Sequence, residues 1–295
     1  MSILFYSMQT TIIKFYSATL PPLPMVIFIQ STVSLVLMLP FLLKKKVVKE
    51  ALVFNDFPLH VLRMIFSISI SYLLFYSVTL VSLVNATLLV NTAPLFVPLF
   101  AYVFLSKKIN HGLWIPLLIG FTGVVIVLHP GGGKLHPALL LALVAGMSWA
   151  SSILAVRQLS KKNSTQVTTL YFFILSTIFS GIISIKFWVP ISMPMLLVSM
   201  LLGVLYFLVQ YTATWALKHA GAELFGILSY SNIIFVSFFS ILLWQLIPSR
   251  ITMIGMACIA IGGILSILVE YRKRTEKISQ SNSVLTRAMD GPSQN

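Results

Sequence analysis

The chain has 295 residues, 58% of them hydrophobic and only 9% charged, with a mean hydropathy of +0.98. Soluble domains carry roughly a quarter charged residues, so this composition excludes a wholly water-facing surface and makes the lipid bilayer the main solvent. The net charge of +14 does not point to nucleic acid, because the cations sit in short clusters between apolar runs, where membrane topology places them.

In lipid every backbone polar group must be satisfied internally, which leaves helices or closed barrels. Barrel strands alternate apolar and polar residues. Here the apolar runs are continuous, as in "SILLWQLIP" and "MIGMACIAIGGILSILV". The fold class is therefore an all-α integral membrane protein. A spanning helix needs about 20 apolar residues. Pro, Gly and charge divide the chain into ten such spans, at 2–19, 25–43, 59–78, 83–105, 112–128, 137–157, 166–185, 194–216, 222–245 and 251–270.

In span one, Lys14 has two readings: it snorkels to the headgroups, or it faces a cavity. Span two carries Gln30, and span three opens with "HVLRMIF". Span four, "VNATLLVNTAPLFVPLFAYVFL", holds Asn85, Thr87, Asn91 and Pro94. Thr87 and Asn91 are four apart and share a face. Pro94 and Pro98 each remove a backbone hydrogen bond and loosen the helix. Loosened helices with free carbonyls line binding sites in transporters; the alternative is interhelical bonding and a packing kink.

Spans five and six are joined by "HPGGGK". A phosphate-binding P-loop needs a serine or threonine after its Gly-Lys pair. Lys134 is followed by Leu135, so the segment is a joint rather than a nucleotide cradle. Span six presents Ser148, Trp149, Ser151 and Ser152, span eight Tyr206, Gln210 and Tyr211, and span nine Ser229, Tyr230 and Asn232. Glu223 opens span nine. It is either a helix N-terminal acid favoured by the macrodipole or a proton or cation site within the bundle. The lone Cys258 and the scattered histidines have no metal-ligand spacing. From Tyr271 the chain is polar and is expected to be a disordered cytoplasmic tail.

Ten spans place both termini on one side. If that side is the cytoplasm, sixteen of the twenty cations, Arg63 among them, lie inside and three outside, with Lys14 within a span. The two halves also resemble each other. "WIPLLIGFTGVVIVL" closes the first and "MIGMACIAIGGILSIL" the second, pairing Pro116 with Gly255 and Gly123 with Gly262. At the front, Lys14 aligns with Arg157. A repeat of five spans inserts its second copy upside down, an architecture that puts the substrate site near the midplane between copies. The expected units are residues 1–128, an extracytoplasmic joint at 129–136, residues 137–270, and the tail 271–295.

The motifs "IIKFYS", "HVLRMIF" and "VNATLLVNTAPLFVPLFAYVFL", with "AGMSWASSILAVRQLS", "QYTATWALKHAGAELFGILSYSNIIFV" and "QLIPSRITMIGMACIAIGGIL" in the second half, resemble the EamA-type drug/metabolite transporter family over residues 1–270. The resemblance implies two inverted five-helix repeats. It also implies that the regions of Trp149, Tyr206, Gln210 and Tyr230 line a central cavity. The chain departs from the family pattern at Lys107 and Leu246, where acids are usual, and at Gln30, where arginine is frequent.

The expected function is a secondary transporter of a small organic metabolite, such as an amino acid, nucleoside, adenosyl compound or drug, in the cytoplasmic (inner) membrane. No motif calls for a cofactor or ATP, so coupling would fall to a proton or an exchanged solute. The bilayer and a small-molecule substrate are the expected partners, nucleic acid is not, and monomer and homodimer both remain open. The alternatives are a receptor or scaffold on a transporter fold, and an intramembrane enzyme, for which the spans supply almost no catalytic groups.

Overall fold

A computed structural model describes residues 1–52, 56–105, 111–128, 136–219, 225–226 and 228–289. The glycine joint, Lys107 and Glu223 lie outside the described residues. Every regular element described is helical: α1 (Ser2–Phe15), α2 (Leu23–Met38), α3 (Lys45–Ala51), α4 (Phe57–Leu80), α5 (Leu83–Val90), α6 (Ala93–Leu105), α7 (Trp114–Leu128), α8 (Pro137–Leu159), α9 (Thr165–Lys186), α10 (Met193–His219), α11 (Ser231–Trp244) and α12 (Arg250–Met289). Short 3₁₀ turns at Leu39–Leu43 and His111–Leu113 extend α2 and precede α7. Seven stretches are long and apolar enough to cross a membrane; α7 and α11 are shorter apolar helices of 15 and 14 residues. The faces that would meet lipid carry Ile178, Ile182 and Ile185 on α9 and Met253, Ile254 and Ile261 on α12, all exposed.

Several boundaries differ from the sequence expectation. Helix α1 stops at Phe15 rather than residue 19, because Pro21 and Pro22 follow and the residue before a proline is driven out of the α region. Span four is not one helix. It breaks at Asn91–Thr92, one turn before Pro94, whose missing N–H cannot reach the Val90 carbonyl. Gly146 of α8 packs on this break. A Cβ there would lie 2.7 Å from Leu89 O and 3.0 Å from Val90 O. The tail expected to be disordered continues α12 to Met289, since neither Gly nor Pro occurs between Gly263 and Gly291 to interrupt the ladder.

Spans five and ten, now α7 and α12, pack closely and antiparallel through glycine. A Cβ on Gly123 would lie 2.8 Å from Gly255 O, and one on Gly262 would lie 2.6 Å from Pro116 O and 2.4 Å from Gly120 N. The alignment of Pro116 with Gly255 and Gly123 with Gly262 turns the first contact into the second. The other pairings follow the same rule. The α4–α8 contact has its counterpart in α10–α1, α5–α8 in α11–α1, and α2–α10 in α9–α4. The molecule is thus two inverted copies related by a pseudo-two-fold axis, with α7–α12 and α2–α9 on that axis.

Because backbone atoms face the Gly262 position, an added side chain has no flexible neighbour to displace. Gly262→Val should cost about 1–3 kcal/mol by overpacking and lower the melting temperature in detergent. Ile261→Val, one residue away on an exposed face, should leave it within error. Equal melting temperatures for the two variants would remove the close glycine contact.

Candidate functional site

Two repeat-related pairs of helices, α1 with α8 and α4 with α10, surround an open cavity of about 90 Å³, with α11 contributing at one end. Its lining runs from Ser2 to Gln9 on α1, Arg63 to Phe75 on α4, Trp149 to Val156 on α8 and Tyr206 to Leu217 on α10. These are the N-terminal part of α1, the middle of α4 and the C-terminal parts of α8 and α10, so the cavity extends from the middle of the bundle toward the end at which α1 starts.

The opposite end is closed. The Lys14 ammonium donates to Val78 O and, at 3.1 Å, to Val81 O, the free carbonyls at the C-terminus of α4. A cation there also complements the helix dipole. Ser77 Oγ donates to Ala138 O at the start of α8, 2.8 Å away. Ile13, Leu74, Val78, Leu83 and Leu139 pack into one apolar cluster at this end.

Within the cavity the polar groups converge on Arg63, which is 1% exposed. Its guanidinium donates to Thr168 O and, at 2.9 Å, to Thr214 Oγ1, and its Cζ sits 4.9 Å from the centre of the Phe172 ring. Tyr206 is buried beside Arg63, Ser71 and Gln210. Ser67 Oγ and Ser152 Oγ lie 2.8 Å apart, joining α4 to α8. On α1, Gln9 Nε2 donates to Gln30 Oε1 of α2 over 3.1 Å, so the amide at the position where the family often has arginine is tied to a lining residue. Tyr6 and Trp149 supply an aromatic wall, their ring centres 6.0 Å apart. Asn232 of α11 is 1% exposed, and neither its amide nitrogen nor its amide oxygen has a hydrogen-bond partner.

Of the residues named from sequence, Trp149, Ser152, Tyr206, Gln210 and Asn232 line this cavity together. The other described ones do not. Thr87 and Asn91 are buried but bonded within their own helix, Thr87 Oγ1 to Leu83 O at 2.6 Å and Asn91 Nδ2 to Thr87 O at 2.7 Å. Asn85 takes part in the cap of α5, its backbone N–H donating to Ser82 Oγ. Pro94 is buried beside Gly226. Tyr230 fills a notch on α12, where a Cβ on Gly263 would overlap its hydroxyl. Lys14 is not among the cavity-lining residues and binds the end of α4. Glu223 lies outside the described residues.

The sequence pattern does not single out Gln9 or, above all, Arg63, whose charge falls with those of the cytoplasmic side at the start of span three and which sits inside α4. The pattern that marks it is legible afterwards: Arg63, Ser67, Ser71 and Phe75 recur every four residues on one face. Among the described residues no group of His, Cys, Asp or Glu could hold a metal ion.

The EamA-like transporter family matches residues 1–129 and again residues 136–268. The chain belongs to that family. It is 26% identical over 263 residues to the pseudopaline exporter CntI of Pseudomonas aeruginosa, covering 87% of this chain and 91% of the exporter. It is 29% identical over 203 residues to a riboflavin transporter of Vibrio cholerae, covering 68% and 66% of the two chains. An S-adenosylmethionine uptake transporter of Rickettsia bellii is 22% identical over 203 residues, 69% of this chain and 70% of that one. A solved crystal structure that is 21% identical shares the fold, with a TM-score of 0.67 over 92% of this chain and 94% of the other. The protein is a multi-pass membrane transporter of small molecules.

The geometry separates lining from packing residues. In a Cys258→Ser background in detergent, Gln210→Cys should react readily with a water-soluble maleimide. Thr87→Cys, at a position 1% exposed, should react at least tenfold more slowly. Similar rates would mean that span four, and not α10, reaches water.

Proposed function

We propose that this EamA-like protein is a secondary carrier of the inner membrane and that the α1–α4–α8–α10 cavity is its substrate site, reached alternately from the two sides. The observation that carries this reading is the asymmetry of an otherwise symmetric bundle. Toward one end α1, α4, α8 and α10 line the cavity, and at the other Lys14 bonds α1 to α4 and Ser77 bonds α4 to α8. Exchanging the conformations of the two copies, residues 1–128 and 137–270, would close the first end and open the second. No nucleotide motif is present in the sequence, so the free energy would come from a proton or an exchanged solute. The positive-inside bias supports cytoplasmic termini and thus a cavity open to the cytoplasm.

On this reading Lys14 is a latch. It holds the outer end shut by capping α4, a contact that must break when that end opens. Its aligned partner Arg157, in the last turn of α8, would cap the C-terminus of α10 when the inner end closes. Val78 is fully buried behind the Lys14 contact. In proteoliposomes, Lys14→Met should raise the labelling of Val78→Cys from the outer side several-fold and lower that of Ser152→Cys from the inner side. A Lys14→Met variant that leaves both rates unchanged would remove the latch. The orientation has its own check: reporters fused before Ser2 and after Asn295 should both be active in the cytoplasm, and activity on opposite sides would contradict an even number of spans.

A further inference from the structure

We propose that the substrate carries an anionic group, a carboxylate or phosphate, which docks on Arg63, while an apolar or aromatic body lies against Tyr6, Trp149 and Phe75. This rests on the carrier reading above and names the chemistry of its site.

Arg63 is a cation buried in the spanning part of the bundle, and such a charge is costly unless it is paired. Its protein partners are neutral: a backbone carbonyl, a threonine hydroxyl and the face of a phenyl ring. Two of the five guanidinium N–H groups are used in those bonds. The Nε–H is buried and has no hydrogen-bond partner. Among the described residues no carboxylate reaches it. The whole chain has six acids. Glu50 accepts from Ser164 N, Asp56 pairs with Lys162 at 2.9 Å, Glu270 and Glu276 fall in the last part of α12, and Glu223 and Asp290 lie outside the described residues. The guanidinium thus faces a cavity with donors to spare and a positive charge that nothing described neutralises.

A purely structural arginine, stapling α9 to α10 through Thr168 and Thr214, would not need to line the cavity or leave a donor free. A cationic substrate would bring a second positive charge into a low-dielectric space. An anion would offset the charge and could accept from the fork in the bidentate manner that guanidinium favours. The rest of the lining fits such a molecule. The hydroxyls of Ser67, Ser71, Tyr206 and Thr214 line the same cavity, and that of Tyr206 is buried without a hydrogen-bond partner. At the α11 end, Asn232 holds an amide with both polar atoms unpartnered. It can donate to and accept from a second polar group on the same ligand. Tyr6 and Trp149 offer flat apolar surface to the remainder.

The test uses the purified full-length protein in detergent and probes paired by charge: N-acetyltryptophan with N-acetyltryptophanamide, phenylpyruvate with its methyl ester, and pyridoxal phosphate with pyridoxal. Melting temperature is followed against probe concentration. An acid or phosphate should stabilise the wild type saturably, and its neutral counterpart should do so only at roughly 10- to 100-fold higher concentration, the weight of a hydrogen bond to a charged group. Arg63→Gln should erase that difference, whereas Arg63→Lys should retain part of it. The acid-to-neutral comparison in the wild type stands without any variant, so a poorly folding Arg63→Gln does not block the test. Equal stabilisation by both members of each pair, no stabilisation by any acid, or an acid preference that survives in folded Arg63→Gln would overturn the assignment. Uptake of a neutral probe into proteoliposomes, lost in Trp149→Ala, would keep the carrier reading while the anion assignment falls. Loss of both would appear as no binding and no flux for any probe.

Discussion

Lipid offers no hydrogen bond, so every polar group within the spanning helices must find its partner inside the bundle. Most of the short hydroxyl side chains do so locally. Thr11, Thr32, Ser180 and Ser266 each donate to the carbonyl four residues before them and ask nothing of their neighbours. A few groups are too long or too charged for that solution, and they define the molecule. Gln9 turns to Gln30, Lys14 to the end of α4, and Arg63 to α9 and α10. The first two are matched by protein. The third is matched only in part, and it lines the cavity together with Gln9. The same rule that makes the rest of the bundle quiet makes this position a place where a ligand gains by binding.

The bundle that surrounds Arg63 is held by symmetry. Helices α7 and α12 meet through glycine at two equivalent crossings, close enough that backbone touches backbone. Small residues permit this approach in membranes, where apolar side chains gain little by leaving lipid for one another. Such an axis tolerates rotation of one copy against the other better than interdigitated large side chains would. The asymmetric part of the design lies elsewhere, among α1, α4, α8 and α10, which line the cavity toward one end and are joined at the other through Lys14 and Ser77. Equivalent sequences in unequal environments are what a two-state carrier requires, because each state is the other with the copies exchanged.

Much of this was legible in the sequence, for physical reasons. Continuous apolar runs broken by Pro, Gly and charge located the helices, and the pairing of Pro116 with Gly255 marked the axis before its contacts were known. Trp149, Tyr206 and Gln210 were identifiable as polar or amphipathic groups without a reason to face lipid. Three things were less legible. Pro94 announced a weak point but not that the break falls at Asn91–Thr92, which depends on the room Gly146 leaves on α8. The residues after Tyr271 have the composition of a disordered tail, yet a long helix carries them because nothing interrupts it. Arg63 falls near the start of span three beside His60, where its charge counts toward the cytoplasmic side. Only its four-residue spacing from Ser67 and Ser71 tells that it belongs to a face.

The central claim is that the open and closed ends exchange. Pulsed electron-electron distance measurement in proteoliposomes tests it most directly, using one spin-label pair at Leu62 and Trp215 beside the cavity and another at Thr19 and Leu80 beside the Lys14 contact. Two populations are expected at each end, with opposite weights: wherever the cavity pair is far apart the other pair is close, and conditions that shift one shift the other in the opposite sense. A single distribution at both ends, or two ends that widen together, would contradict an alternating carrier.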